Sequence, residues 1–130
     1  MHGEILLRTE TTADALSIIE VSVPAHWDGP PLHHHAFDEA FHVLDGELTF
    51  QLDQALVTKR RGELAFAPRH AFHTLANLSD RPARYLLICT PGGFERRFDP
   101  DWTGPIEADK PYLKTHVVGP AIPDGQAEAH

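Results

Sequence analysis

Residues 33–52 read HHHAFDEAFHVLDGELTFQL, and this stretch decides the fold class. Two apolar-rich segments, 39–44 and 47–52, lie on either side of Asp45-Gly46, a dipeptide typical of a two-residue turn between antiparallel strands. Side chains alternate between the two faces of a strand. A hairpin that turns at 45–46 therefore predicts one mostly polar face and one apolar face, made by Phe41, Val43, Leu48, Phe50 and Leu52.

Prolines divide the rest of the chain into short segments. There are eleven prolines among 130 residues, and a proline inside a helix costs about 3 kcal/mol or more, so long helices have little room. Many short apolar segments between turn residues are typical of an all-β sandwich or barrel. Further strands are predicted at 15–23, 56–59, 63–67, 71–77, 83–90 and 116–118, with a short helix at 94–98.

The charge and the cysteine count narrow the class of protein. The net charge of −8 opposes binding to phosphate backbones and anionic lipids, so we expect neither nucleic acid nor a membrane as partner. Charges at Arg8, Glu10, Asp14 and Glu20 predict that the N-terminus is neither a signal peptide nor a membrane span. The single cysteine, Cys89, cannot form an internal disulfide, which fits a cytoplasmic location. We expect a single domain over 1–130.

A histidine and carboxylate set is the main candidate site. His33 and His35 are two residues apart and Glu39 is four further on, so in extended chain all three side chains point to one face. Glu39 thus falls on the apolar face, where a carboxylate is costly without a partner. Two imidazoles and a carboxylate suit a first-row transition metal better than magnesium or calcium. The spacing therefore predicts a divalent metal as the partner of Glu39.

Two motifs resemble those of the cupin family. His33-x-His35-x3-Glu39-x6-Gly46 is similar to the first cupin motif, and Gly62-x5-Pro68-x4-His73-x3-Asn77 is similar to the second. The resemblance covers about 16–98, the motif core, and leaves a Pro-rich C-terminal extension at 99–130. It is strongest to small bacterial single-domain cupins of the quercetin-dioxygenase-like type. It implies a double-sheet jelly roll closed into a small barrel, a homodimer, and metal ligation by His33, His35, Glu39 and His73.

The chain departs from the cupin pattern at two positions. Trp27 and His70 stand where the two motifs usually have glycine. Neither change removes a ligand, and His70 is expected to adopt a positive φ, which histidine tolerates better than a β-branched residue does.

Side chains outside the ligand set have simpler interpretations. His34 is expected to face solvent or the other sheet layer, and His42 to lie on the polar face. His70 lies near the turn of the second motif, where it could approach the mouth of the barrel. Cys89 is expected to be a buried apolar residue. A further set is predicted to be core, namely Phe41, Phe50, Phe66 and Phe72.

Three functions remain open at this level. The first is an oxygenase-like enzyme that uses Fe, Mn, Ni or Cu on a small aromatic or enol-bearing molecule, with Glu39 able to leave the metal and act as a base. The second is a zinc or manganese isomerase, cyclase or lyase that needs no oxygen. The third is a non-catalytic module that binds a small molecule.

Overall fold

A computed structural model describes residues 1–122, which form ten strands and three short 3₁₀ helices. Residues 123–130, the end of the predicted C-terminal extension, lie outside the described residues. The strands are His2–Leu7 (β1), Ser17–Val23 (β2), His33–His34 (β3), Asp38–Asp45 (β4), Glu47–Leu52 (β5), Ala55–Arg60 (β6), Leu64–Ala67 (β7), His73–Ala76 (β8), Ala83–Thr90 (β9) and His116–Val117 (β10). The 3₁₀ helices are Thr9–Thr12, Phe94–Phe98 and Pro111–Leu113. None of the helices among these residues is long and apolar enough to cross a membrane.

The strands form two antiparallel sheets of five strands each. Sheet A has the order β1-β2-β9-β4-β7, and sheet B has the order β10-β3-β8-β5-β6. Within residues 1–122 there is no α-helix, as the proline spacing predicted. The all-β, double-sheet jelly roll expected from the sequence is therefore confirmed.

Alternate residues of the central strands fill the space between the sheets. In β4 the inward side chains include Phe41 and Val43, and in β5 they are Leu48 and Phe50. The rings of Phe41 and Phe50 meet across the core, with centroids 5.2 Å apart. The predicted alternation is thus correct in both strands, because burial of one face fixes which residues point inward.

The predicted hairpin at 45–46 is wrong in its pairing. Strand β4 pairs with β7 and β9 of sheet A, whereas β5 pairs with β6 and β8 of sheet B. Asp45-Gly46 is instead the corner where the chain passes from one sheet to the other. Gly46 has φ 75°, and a Cβ there would lie 2.6 Å from the carbonyl oxygen of Pro82. The dipeptide correctly marks a sharp turn, but a turn residue does not say which strands it joins.

Other predicted elements differ from the structure less. The strand expected at 56–59 is part of β6, which forms a hairpin with β5 in which Leu52 lies opposite Ala55, and the expected short helix is present at Phe94–Phe98. Strand β1 was not predicted. It lies at the edge of sheet A and is only partly buried, so its sequence lacks the clear apolar pattern of a buried strand.

The prediction that Phe66 and Phe72 belong to the core is wrong. Their side chains are 50% and 42% exposed. In β7 the small residues Ala65 and Ala67 point inward, and this places Phe66 on the outer face. A four-residue alternation such as LAFA cannot reveal which of its two faces is buried.

Candidate metal centre

Both sheets contribute to the histidine and carboxylate set. His33 lies in β3 and His73 in β8, directly opposite one another in sheet B, and His35 follows β3. Glu39 comes from β4 in sheet A. The expectation that His33, His35 and Glu39 lie on one face of a continuous extended strand is therefore wrong, because the chain bends at residues 36–37 and passes from one sheet to the other. One potential ligand atom from each of the four side chains lies within 4.8 Å of the others. Two ligands on opposite sides of a metal ion are about 4.2 Å apart at metal–nitrogen distances near 2.1 Å, so the four atoms are nearly at coordination distance.

Backbone carbonyls orient all three imidazoles. The Nδ1 atoms lie 2.7 Å from the Pro31 oxygen for His33, 3.1 Å from the Phe37 oxygen for His35, and 2.9 Å from the Ala71 oxygen for His73. A carbonyl oxygen only accepts, so each Nδ1 must carry the proton and donate it. Each ring therefore directs its Nε2 toward the other side chains of the cluster. A metal-binding histidine is usually oriented in this way, by a hydrogen bond from its second ring nitrogen.

The chemistry of this donor set fits a cation. With the imidazoles neutral, three Nε2 lone pairs and a carboxylate would face one another with no proton between them. His35 Nε2 and His73 Nε2 both contact Glu39 Oε1, the latter at 2.9 Å. These contacts are favourable only if protons or a metal ion supply positive charge. Imidazole and carboxylate together suit divalent transition metals, so the cluster is compatible with such an ion.

Burial and charge shift the pKa values within the cluster. Burial by itself would raise the pKa of the Glu39 carboxyl, but the hydrogen bonds and charges of His35 and His73 outweigh it and hold that pKa at about 2. Burial lowers the pKa of His73, yet the contact with Glu39 more than compensates, so the pKa of His73 lies above its ordinary value. For His33, burial lowers the pKa and the neighbouring histidines add to the effect. These shifts show a strongly coupled set of charges.

An apolar cavity of about 370 Å³ opens onto the cluster. His33, Glu39 and His73 contribute its charged and metal-binding side chains. In the part of the chain that the structure describes, no lysine or arginine lines this cavity. The remaining lining is mainly aromatic and aliphatic, from Met1, Trp27, Gly29, Pro30, Phe41, Leu75, Tyr85, Leu87, Phe94 and Phe98.

The turn of the second motif is fastened to the strand that carries Glu39. Asp38 accepts hydrogen bonds from the backbone N–H of Arg69 at 2.7 Å and from its guanidinium at 2.9 Å. The backbone N–H of His70 donates to the His35 carbonyl oxygen at 2.7 Å. His70 has φ 73°, as expected of a residue that replaces glycine, but its side chain is exposed and does not line the cavity.

The other singled-out residues lie outside the cluster. His34 points away from the cavity and stacks between Phe72 and His116, with ring centroids 5.2 and 4.9 Å away. His42 is on the outer side of β4, and Cys89 is fully buried, both as predicted. Burial raises the pKa of the Cys89 thiol, and the charge of Glu39 adds to this, which favours an unreactive thiol.

Sequence reasoning missed Tyr85 as a residue of the cavity. The sequence did contain a sign of this. In β9 the alternate residues that point inward are Ala83, Tyr85, Leu87 and Cys89, so the hydroxyl group of Tyr85 belongs to an otherwise apolar face. Trp27 was noted only as a departure from a motif, whereas its indole lines the cavity.

Comparisons with known proteins agree with this geometry. A family model described as "Cupin domain" matches residues 19–89, whereas a search of curated protein sequences finds no match. Among solved structures, a predicted oxalate decarboxylase from Thermotoga maritima is 20% identical, with a TM-score of 0.64 over 68% of this chain and 78% of that one. KdgF from Halomonas sp. is 20% identical, with a TM-score of 0.61 over 68% and 76% of the two chains. A cupin 2 conserved barrel domain protein from Salinispora arenicola is 17% identical, with a TM-score of 0.60 over 74% and 80%. At such identities these structures share the fold with this chain and establish no common activity.

Proposed function

This chain belongs to the cupin family, and from that premise we propose that it is a metal-dependent, oxygenase-like enzyme that acts on a small aromatic or enol-bearing molecule. The observation that carries the proposal is the set of three histidines and one glutamate, of which His33, Glu39 and His73 line an apolar cavity with many aromatic side chains. A bound Fe, Mn, Ni or Cu ion would supply redox chemistry toward oxygen, with His33, His35, Glu39 and His73 as its ligands.

The apolar lining supports a substrate with little charge. The cavity wall within residues 1–122 offers no lysine or arginine, so a second carboxylate on the substrate, away from the metal-binding cluster, would be buried without a permanently charged partner. Burying an unpaired charge is costly. A molecule with one metal-binding group and an uncharged aromatic body fits better than a dianion such as oxalate.

The same lining keeps water away from the reacting groups. Phe41 and Leu87 are each only 3% exposed, and both line the cavity beside the cluster. A dry surrounding strengthens the interactions of Glu39 and of any bound ion with the substrate.

Glu39 is the candidate proton acceptor. While His35 and His73 hold its carboxylate, its pKa of about 2 makes it a weak base. A carboxylate that leaves these contacts regains basicity in the apolar cavity, because burial raises the pKa of a carboxyl. Glu39 would then accept the proton of an enol or phenol hydroxyl. A general base is most efficient when its pKa is near the working pH.

Oxygen uptake tests the proposal. The protein is loaded separately with Fe(II), Mn(II), Ni(II), Cu(II) and Zn(II) and mixed with flavonols and β-diketones, with His35→Ala as the inactive control. Uptake by the wild type and none by His35→Ala supports the proposal. Turnover that persists without oxygen would favour the isomerase, cyclase or lyase class instead. Tight ligand binding with no turnover under any metal would favour a non-catalytic binding protein.

A further inference from the structure

Among residues 1–122, Tyr85 is the one residue of the cavity wall that carries a hydroxyl group. Its backbone lies in β9 opposite Val21 on one side and Val43 on the other, at the centre of sheet A. The side chain is 3% exposed, and its ring packs against Phe41 with centroids 5.9 Å apart. Tyr85 and Glu39 both line the cavity, and the charge of Glu39 acts on the Tyr85 hydroxyl. The hydroxyl therefore shares one small space with the metal-binding cluster.

This hydroxyl makes no hydrogen bond with any of residues 1–122, although its ring is buried. It is also not among the fully enclosed polar atoms that lack a partner in that part of the chain, which are Ser17 Oγ and Arg96 Nε. The Tyr85 oxygen therefore keeps some accessible surface, and the space that Tyr85 lines is the cavity. Tyr112, the other tyrosine, differs because its hydroxyl donates to the Gly92 carbonyl oxygen.

An unpartnered hydroxyl in an apolar space is unfavourable until something fills its hydrogen-bonding capacity. Tyrosine hydroxyls that are buried usually have a partner for this reason. Burial raises the pKa of Tyr85, and the charge of Glu39 raises it further, so the hydroxyl keeps its proton and can donate it.

We propose that the Tyr85 hydroxyl is the second anchor of the ligand, donating a hydrogen bond to an uncharged oxygen on the body of a molecule whose other end binds the metal. This inference rests on the proposed function, since it needs a ligand held at the cluster. The acceptor is uncharged because the described cavity wall has no lysine or arginine to balance an anion. The ligand class is therefore an aromatic or enol chelator with one additional hydroxyl or carbonyl oxygen.

The test uses chelators that differ only in the second oxygen. The first probe is 3-hydroxyflavone, which can bind a metal through its 3-hydroxyl and 4-carbonyl oxygens. The others are its 6-, 7- and 4′-hydroxy derivatives, which carry one additional oxygen at different places. Their Kd values are measured with the Zn(II)-loaded wild type, with Tyr85→Phe, and with Tyr112→Phe as the matched control outside the cavity.

We expect at least one hydroxylated probe to bind Tyr85→Phe about tenfold more weakly than the wild type, which corresponds to one lost hydrogen bond. Binding of 3-hydroxyflavone should change less than about twofold, and Tyr112→Phe should match the wild type with every probe. The Zn(II) affinity and the thermal stability of both variants are also measured. If both equal those of the wild type, a folding defect does not explain the weaker binding.

Three outcomes would overturn the inference. If Tyr85→Phe binds all four probes as the wild type does, Tyr85 is not an anchor, and the proposed function is unaffected because its ligand class still binds. If Tyr85→Phe weakens all four equally, the residue only shapes the cavity. If the wild type binds Zn(II) but none of the probes, the proposed ligand class itself is wrong and this inference falls with it.

Discussion

His33 and His73 lie directly opposite one another on neighbouring antiparallel strands, and their imidazole rings are 4.5 Å apart. They are forty positions apart in the sequence. Since the register of β3 and β8 fixes this pair, the metal-binding geometry depends on the pairing of sheet B. Glu39 reaches the same point from sheet A, so the cluster also joins the two layers of the fold.

Loss of a ligand should abolish tight metal binding. We expect His73→Ala to bind Co(II) at least about 100-fold more weakly than the wild type, since even the outer partners of ligating histidines contribute 10–100-fold. His42→Ala is the matched control, because His42 lies on the opposite face of β4 from Glu39. Cobalt titration by visible absorption, with elemental analysis of protein purified without added metal, measures both. Equal cobalt affinity of His73→Ala and the wild type would remove the basis of the site.

The metal-free protein should be most stable near pH 6.5. The raised pKa of His73 gives stability that is present below its ordinary value of 6.5 and is lost as pH rises through the higher folded value. The lowered pKa of His33 has the opposite effect, because between that pKa and 6.5 the unfolded chain binds a proton that the folded chain does not, and stability is lost as pH falls below 6.5. The Glu39 contribution is lost as pH falls from 4.5 toward 2.

Thermal denaturation in EDTA at pH 5, 6.5 and 8 checks this optimum. Saturating Zn(II) should raise the Tm more at pH 8 than at pH 5, because protons no longer compete for the imidazoles and the ion binds only the folded chain. His73→Ala in EDTA should lose the decline above pH 6.5. If the Tm of the metal-free wild type keeps rising from pH 6.5 to 8, the raised pKa of His73 does not control its stability in this range.

The turn at His70 should accept glycine and reject valine. A φ of 73° costs a residue with a Cβ about 1–2 kcal/mol, and glycine avoids this cost. Glycine also makes the unfolded chain more flexible, which lowers the stability of the fold by about 0.5–1 kcal/mol. His70→Gly should therefore leave the free energy of unfolding unchanged or raise it by up to about 1.5 kcal/mol.

His70→Val should lower that free energy by more than about 1 kcal/mol. Arg61→Gly, at an exposed turn residue without a positive φ, should lower it by about 0.5–1 kcal/mol and serves as the control. Urea denaturation measures all three variants. Equal losses for His70→Gly and Arg61→Gly would mean that the conformation of residue 70 is not strained.

Trp27 should report on the metal site through its fluorescence. Its indole lines the cavity with His33 and His73, whereas Trp102, the other tryptophan, packs under the Arg96 guanidinium at 4.2 Å and does not line the cavity. Cu(II) should therefore quench the fluorescence of the Trp102→Phe variant, whose remaining tryptophan is Trp27. The fluorescence of the Trp27→Phe variant should change little. Stronger quenching of Trp27→Phe would place the copper elsewhere.

The homodimer expected from the cupin resemblance stays a prediction. Leu64 and Phe66 expose 48% and 50% of their surface on β7, an edge strand, and such exposed apolar groups favour association. Light scattering at several protein concentrations decides the oligomeric state. A mass of one chain throughout would contradict the expectation.

The sequence by itself determined the alternation of β4 and β5 and the all-β class. These depend on local rules, because the strand repeat of two residues fixes which side chains share a face. His33, His35 and Glu39 meet, but not on one face of an extended strand as expected, because His33 lies in sheet B and Glu39 in sheet A. His73 was added only through the resemblance to cupin motifs, since no local rule relates residues forty positions apart.

Only the tertiary structure decided that Asp45-Gly46 is a corner between sheets, that Phe66 faces outward, and that Tyr85 and Trp27 share a cavity with the cluster. Each of these depends on which distant segments meet. Strand partners are chosen by the burial available to the whole chain, and that quantity cannot be read from any short stretch of residues.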